Sequence, residues 1–364
     1  MTPVLCTNCR QPYPPAGTPY RCPNCGGVFD FADLPDFHLE KVEDHLPGIW
    51  RYRHTFNLAA DTPLISLGEG NTPLLWDRIG DLEVAFKLEY LNPTGSFKDR
   101  GSSLLASFLR SRGVEAAVED SSGNAGASFA AYAARAGIKA RIYIPDSASG
   151  PKRAQIHAYG AEVARIMGPR SNATEAVKRA AEAGMAYASH AYLPFNIPGY
   201  ATAAYELVEQ LGEVPGSVIL PVGQGGLLLG LARGFQAMHR AGLVDKTPRL
   251  VGVQARACAP LWAVAAYGAV GLGFVGEAAT LAEGIRVRHP VRGDILLSTL
   301  AAMNGTLVAV DEEDILPGRD QLARRGFYVE PTSAVVWPVL TRMSEELTRP
   351  IVSILTGSGF KYQG

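Results

Sequence analysis

The sequence predicts an α/β protein with two parallel-sheet, helix-covered domains preceded by a small cysteine module. Three observations carry this. From about Thr55 onward, short apolar runs alternate with alanine-rich stretches of helical spacing. Runs such as Val218-Ile219-Leu220-Pro221-Val222 are apolar on both faces, as buried parallel strands are. Four of the five cysteines stand in two close pairs ending at Cys25. The 364 residues allow two or three domains. The 34 basic and 35 acidic side chains nearly cancel, which excludes a broad nucleic-acid or anionic-membrane surface. An apolar content of 47% excludes disorder.

Cys6-x-x-Cys9 and Cys22-x-x-Cys25 are separated by twelve residues. Each pair places two thiolates on one knuckle, and two knuckles supply the four sulfurs of a closed tetrahedral site for zinc, or for iron in a similar cage. The alternative is four free thiols. A closed site has no open ligand position, so it serves folding or docking rather than catalysis. Met1–Arg10 lacks the charged start and apolar run of a secretory leader, and a cytoplasmic protein is expected. A polar, aromatic linker follows to about Arg53. Then Val84–Glu89 reads as a strand, Arg100–Arg112 as a helix, Ala116–Val118 as a strand and Ala125–Ala136 as a helix. Ala140–Ile144 is a strand, Lys152–Tyr159 a helix, Glu162–Ile166 a strand, and Ser171–Ala183 and Ala201–Leu211 are helices. Val218–Val222, Leu250–Gln254 and Ile351–Leu355 complete the predicted strands. The uncharged stretch Ala257–Gly276 is broken by Pro260 and four glycines, so it reads as a short buried helix and a turn rather than a membrane span. Cys258 within it is expected to be a small buried hydrophobe.

The expected segments are 1–30 for the cysteine module, 31–97 for the linker and first part of a large domain, 98–195 for a small α/β domain, and 196–364 for the rest of the large one. Three glycine-marked junctions carry chemistry. Lys98 follows the Pro93-Thr94-Gly95-Ser96-Phe97 turn at a loop-to-helix junction, where the helix N-terminus disfavours an ammonium ion. A lysine with a lowered pKa is what Schiff-base chemistry requires. Ser121-Ser122-Gly123-Asn124-Ala125 opens a helix and can seat a carboxylate on exposed amides, with a plain helix cap as the alternative. Val222-Gly223-Gln224-Gly225-Gly226-Leu227 lies between strand and helix. Its three glycines let the main chain close around a phosphate, although it matches neither the dinucleotide fingerprint nor a P-loop.

Together these parts would hold pyridoxal phosphate and an amino acid. The chain resembles the fold-type II pyridoxal-phosphate enzymes, the tryptophan synthase β-subunit family, and within it the threonine synthases, some of which begin with a zinc ribbon. The resemblance covers roughly Ile65–Lys361. It rests on Glu69-Gly70-Asn71-Thr72-Pro73-Leu74, Lys87-Leu88-Glu89, Asn92–Gly101, the Ser122-Gly123-Asn124 turn, the glycine loop and Leu355-Thr356-Gly357-Ser358-Gly359-Phe360-Lys361. It implies a cofactor held in the crevice of two domains, with Lys98 as Schiff-base lysine and proton carrier. Phe97, Asn124, Val222, Gly223, Gln224, Gly225, Gly226, Leu227 and Thr356 would bind the cofactor. Asn124 would meet its 3′-oxygen and Thr356 its pyridine nitrogen. Ser121, Ser122, Gly123, Asn124 and Ala125 would seat the substrate carboxylate.

Departures bear on the substrate. Threonine synthases usually carry Asn-Pro-x-Arg-x-x-Gly-Gln where this chain has Leu193-Pro194-Phe195-Asn196-Ile197-Pro198-Gly199-Tyr200, so Asn196 replaces the Arg that grips the substrate phosphate. Arg286 remains as an anion grip. Phe195 and Thr280-Leu281-Ala282-Glu283-Gly284-Ile285 resemble threonine and serine dehydratases. The expected activity is therefore a pyridoxal-phosphate-dependent lyase converting O-phosphohomoserine to threonine and phosphate. The alternatives are a threonine or serine dehydratase, a diaminopropionate ammonia-lyase, and a non-catalytic, metal-stabilised binding protein. The expected partners are a small amino-acid substrate and a second copy of the chain, with no nucleic acid and no membrane. His157, His190 and His239 are expected on helix surfaces or at caps, and Glu330-Pro331-Thr332-Ser333 as a helix start.

Overall fold

The computed structural model describes residues 2–146, 150–168, 170–276 and 278–362; the outer ends of the first and last expected segments, Met1 and residues 363–364, lie outside them. Its strands are β1 (Val4–Cys6), β2 (Phe29–Phe31), β3 (Leu74–Ile79), β4 (Leu82–Lys87), β5 (Ala116–Glu119) and β6 (Lys139–Pro145). Then come β7 (Glu162–Ile166), β8 (Ala186–Tyr187), β9 (Ser217–Pro221), β10 (Arg249–Ala255), β11 (Thr306–Val310) and β12 (Ile351–Ile354). Two compact units contain them. One comprises the residues up to Gly70 with Asn92–Thr202, the other Asn71–Leu91 with Ala203–Tyr362.

In the first unit β7, β6, β5 and β8 form a parallel sheet in that order. The helices Lys98–Ser111 and Asn124–Ala136 pack together in this unit, and the second is alanine-rich enough to bury most of its surface. Gly137, left-handed at φ +68°, ends it. The antiparallel pair β1–β2 carries the cysteine module. Tyr13 meets Phe29 edge-on within the module and docks it through edge contacts to Phe108 and Phe195, stacked rings 3.6 Å apart. Arg112 donates to the carbonyls of Pro14 and Pro15, and Arg21 donates to Tyr192 Oη at 2.8 Å. The expected linker is exposed or half-buried along much of its length, but its aromatic end is packed core. Ile49, Trp50, Tyr52 and Phe56 are buried, and Trp50 Nε1 donates to Ser103 Oγ at 2.9 Å.

The second unit has the sheet β11-β10-β9-β12-β4-β3, parallel except for β3, which pairs antiparallel with β4 at the edge. Val84, Phe86, Ile219, Val253, Ile351 and Leu355 belong to its core. In the stretch 257–276 the expected helix is Pro260–Tyr267, beside buried Cys258, but only its first half is buried; the glycine-rich turn after it is a 3₁₀ segment, Gly268–Phe274, exposing Val270 and Phe274. Among the described residues no helix is long and apolar enough to cross a membrane.

The Lys87-Leu88-Glu89 motif proves to be framework. Lys87 Nζ, fully buried, donates to Thr72 O (2.7 Å), Glu206 Oε2 (2.7 Å) and Gln210 Oε1 (2.9 Å). Glu89 accepts from Thr72 Oγ1 at 2.7 Å. Removing one partner of a buried pair strands the other charge. Lys87→Ala should therefore cost about 3–5 kcal/mol in urea unfolding, and Lys87→Met with Glu206→Leu should recover part of that loss.

Candidate active site

In the first unit the chain enters Lys98–Ser111 through a turn fastened by Asp99. This buried carboxylate accepts from Thr94 N, Thr94 Oγ1 and Ser128 Oγ, each at 2.6 Å. Asp99 thereby serves the turn, while Lys98 points its amine over the Phe97 ring at 4.8 Å and the Tyr200 ring at 6.0 Å. Part of the Lys98 side chain remains accessible, but its amine is desolvated. Burial lowers its pKa to about 8, Glu119 opposes the shift and Arg170 adds to it. The sequence points to the helix N-terminus as the cause; in the structure the leading cause is desolvation. Nearby, Ser96 Oγ is buried with no hydrogen-bond partner among the described residues.

The Ser121–Ala125 turn leaves the C-terminal end of β5. Ser121 N donates to Glu119 Oε2, and Gly123 N donates to Ser121 Oγ at 3.2 Å. Gly123 is the cap of the helix from Asn124, and no side-chain hydrogen bond caps it. A Cβ at Gly126 would run into the Ser121 carbonyl oxygen; only glycine lets the helix back onto the turn so closely.

In the second unit the loop from Val222 to Leu227 leads from β9 into the helix Gly226–Arg240. Gly225 is left-handed at φ +78°, and a Cβ there would overlap the Leu296 side chain. At Gly223 a Cβ would sit 3.0 Å from Ile285 Cα, so the loop packs against the turn that bears Arg286. Gln224 Oε1 accepts from Val291 N at 3.0 Å. This main chain tolerates only glycine at its bends and ends at an uncapped helix N-terminus, an arrangement that fits a phosphate. Thr356 is buried, with Oγ1 3.0 Å from Ser333 Oγ. Ser333, expected only to start a helix, also accepts from Gly357 N at 2.8 Å. Sequence reasoning misses it because its partner lies 23 residues away.

The structure also corrects the reading of His190, which lies on no helix. Its Nδ1 meets Glu119 Oε1 at 2.6 Å. His157 is exposed on the helix Pro151–Ala158, and His239 Nδ1 meets Val244 O at 3.0 Å at a helix end. Asn196 is buried and donates Nδ2 to His190 O at 2.7 Å, so that amide is already engaged. A cavity of about 520 Å³ opens among Gly137, Lys139, Arg141 and Glu162, at the N-terminal ends of β5, β6 and β7. It holds none of these residues and lies at the other end of the strands from Glu119.

In the cysteine module the four Sγ atoms lie within 4.8 Å of one another. A Cβ at Gly27 would lie 2.8 Å from Cys6 Sγ, so the knuckle closes tightly on sulfur. The Gln11 main chain and the Asn24 side chain, hydrogen-bonded to Cys9, draw its thiol down to about 6, toward the thiolate that ligates metal.

A family model described as pyridoxal-phosphate dependent enzyme matches residues 65–357. The chain is 34% identical to a threonine synthase of Methanocaldococcus jannaschii, over 98% of this chain and 92% of that protein. That match reaches into the cysteine module. It is 35% identical to a threonine synthase of Synechocystis, over 85% of this chain and 82% of that one. Among solved structures, a threonine deaminase of T.th. is 29% identical with a TM-score of 0.68, covering 80% of this chain and 94% of that one.

The Lys98 pKa sets a pH dependence. Below about 8 the amine is protonated in folded and unfolded chains alike, and the cost of burying the ion is fully present. As pH rises from about 8 toward 10.5 only the unfolded chain stays protonated, so stability rises. In cofactor-free protein the gain should be on the order of 2–3 kcal/mol, the lower figure allowing for screening of the accessible part of the side chain. Lys98→Met should abolish that rise in unfolding experiments at pH 8 and pH 10.

Proposed function

The chain belongs to the pyridoxal-phosphate dependent enzyme family, and we propose that it is a lyase of threonine synthase type, converting O-phosphohomoserine to threonine and phosphate. The observation that carries the reading is Lys98, a desolvated amine with a pKa near 8 on the turn that matches the family's lysine motif. The threonine synthases aligned over most of the chain support the choice of reaction.

Pyridoxal phosphate, when bound, supplies the electron sink for charge developing on substrate carbon. The protein's part is to hold and to move protons. Lys98 binds the cofactor covalently, and its amine takes and returns the proton at the substrate Cα. Phe97 and Asn124 would help to hold the cofactor, Asn124 through its 3′-oxygen. The main chain of Val222–Leu227 holds the phosphate, where the glycine cradle and helix N-terminus support the assignment. Thr356, whose hydroxyl lies 3.0 Å from Ser333 Oγ, would be the partner of the pyridine nitrogen. A hydroxyl leaves that nitrogen largely unprotonated, which suits elimination and replacement over transamination. Ser121, Ser122, Gly123, Asn124 and Ala125 seat the substrate carboxylate, and Arg286 grips the substrate phosphate. Simple β-elimination from serine or threonine is the second reading, favoured by the engaged amide of Asn196.

One zinc ion held by Cys6, Cys9, Cys22 and Cys25 belongs to the same proposal, in a cytoplasmic protein. A homodimer is part of it too, and the exposed Tyr267, Val270, Leu272 and Phe274 would give a second copy apolar surface to cover.

Lys98→Ala should fold, lose the visible absorbance of the cofactor-loaded protein and its borohydride-fixed adduct, and lose turnover. Retained turnover would refute the assignment. Arg286→Ala should weaken phosphate release from O-phosphohomoserine by roughly 2–5 kcal/mol. Keto acid from serine or threonine, without any phosphate release by the unaltered protein, would select the elimination reading. Changing Cys6 and Cys9 to Ser should release about one zinc per chain and loosen the N-terminal segment while the cofactor absorbance stays.

A further inference from the structure

β5 and β8 are parallel neighbours in the first unit, with Val118 opposite Tyr187. The last residue of β5, Glu119, and His190 beyond β8 are polar residues that the lyase reading leaves unused. Glu119 is fully buried, yet both its oxygens are engaged, one by Ser121 N and the other by His190 Nδ1 at 2.6 Å. A carboxylate that already accepts a main-chain N–H acts as acceptor toward the imidazole as well. Nδ1 therefore carries the shared proton, and the ring's tautomer is set. Nε2 is left as the outward nitrogen, with no partner among the described residues.

The main chain that carries the ring is held in place. Asn196 holds the His190 carbonyl at 2.7 Å, and Ser189 Oγ accepts from Ala191 N and Tyr192 N at 3.3 and 3.2 Å. Asp120, the neighbouring acid, is occupied elsewhere by Tyr187 Oη (2.7 Å) and Thr174 Oγ1 (2.8 Å). Glu119 also acts electrostatically on Lys98 and bonds directly to the turn read as the carboxylate seat. A carboxylate-oriented imidazole with a free second nitrogen is the wiring of a general base.

We propose that His190, oriented by Glu119, is the general base for the water added in the second half of the reaction; the proposal rests on the threonine synthase reading. The water O–H bond breaks, its proton passes to Nε2, and its oxygen bonds to Cβ. The electron pair of the Cα=Cβ bond moves to Cα, which takes a proton from Lys98. His190 then returns its proton to solvent. No redox partner is required. Glu119 is a positioning residue in this scheme.

The test uses cofactor-loaded protein and O-phosphohomoserine, with phosphate, threonine and 2-oxobutanoate measured separately. In His190→Ala and the conservative His190→Gln, phosphate release should persist while the ratio of threonine to phosphate falls roughly tenfold or more. The difference should appear as 2-oxobutanoate, from release of the unsaturated product before water adds. Glu119→Gln should shift the ratio the same way by a smaller factor. Apart from turnover, diethyl pyrocarbonate should modify His190 in the resting protein, and Glu119→Gln should change that rate, both read by mass spectrometry. An inert His190, or an unaltered product ratio in the His190→Gln protein, overturns the proposal while leaving the lyase reading in place. A loss of phosphate and threonine in parallel overturns it too. An absence of phosphate release by the unaltered protein overturns both.

Discussion

The desolvated amine of Lys98 is the constraint on which the first unit is organised. An ammonium ion kept from water is costly, and an acid placed too near would restore the charge that nucleophilic chemistry must shed. The structure meets both demands by giving the neighbouring carboxylates other work. Asp99, next in sequence, commits its oxygens to Thr94 and Ser128. Glu119 commits its own to Ser121 and His190. The aromatic faces of Phe97 and Tyr200 lie over the amine without protonating it. Tyr200 is held there by fit: a Cβ at Gly101 would overlap its ring at 2.5 Å.

The second unit solves a different problem, presenting main-chain donors without side chains in the way. Glycines at 223 and 225 supply the bends, and Leu296 and Ile285 press against them. Behind the loop the sheet is held by satisfied polar contacts as well as by its apolar core. Lys87 and Glu206 tie β4 to the second-unit part of the helix Ile197–Leu211, and every donor of the buried amine has an acceptor. Such a network keeps the strand ends fixed, which loops that grip a ligand require.

Much of this is legible in the sequence because parallel strands buried on both faces leave unbroken apolar runs. Glu162–Ile166 coincides with β7, and β9, β10 and β12 fall within a residue of the expected bounds. Less legible are β3, whose Trp76 and Leu75 are exposed at a sheet edge, and β8, too short at two residues to show a period. The three glycine-marked junctions are legible because close approach of main chain restricts the residue type. The Glu119–His190 pair is not, since 71 residues separate its members and neither carries a local motif. Their meeting depends on strand order, which pattern along the chain does not reveal. The same holds for Ser333 and Thr356, and for the linker aromatics that turn out to be core.

The contact between Gly126 and the Ser121 carbonyl has a practical meaning for redesign of the site. Variant libraries meant to shift substrate preference usually randomise a whole loop and its following helix turn. Here one position in that stretch admits no side chain, so most members of an unrestricted library would displace the turn before any preference could be read. Holding residue 126 constant while varying Ser122 and Ala125 keeps the search among proteins that still present the turn.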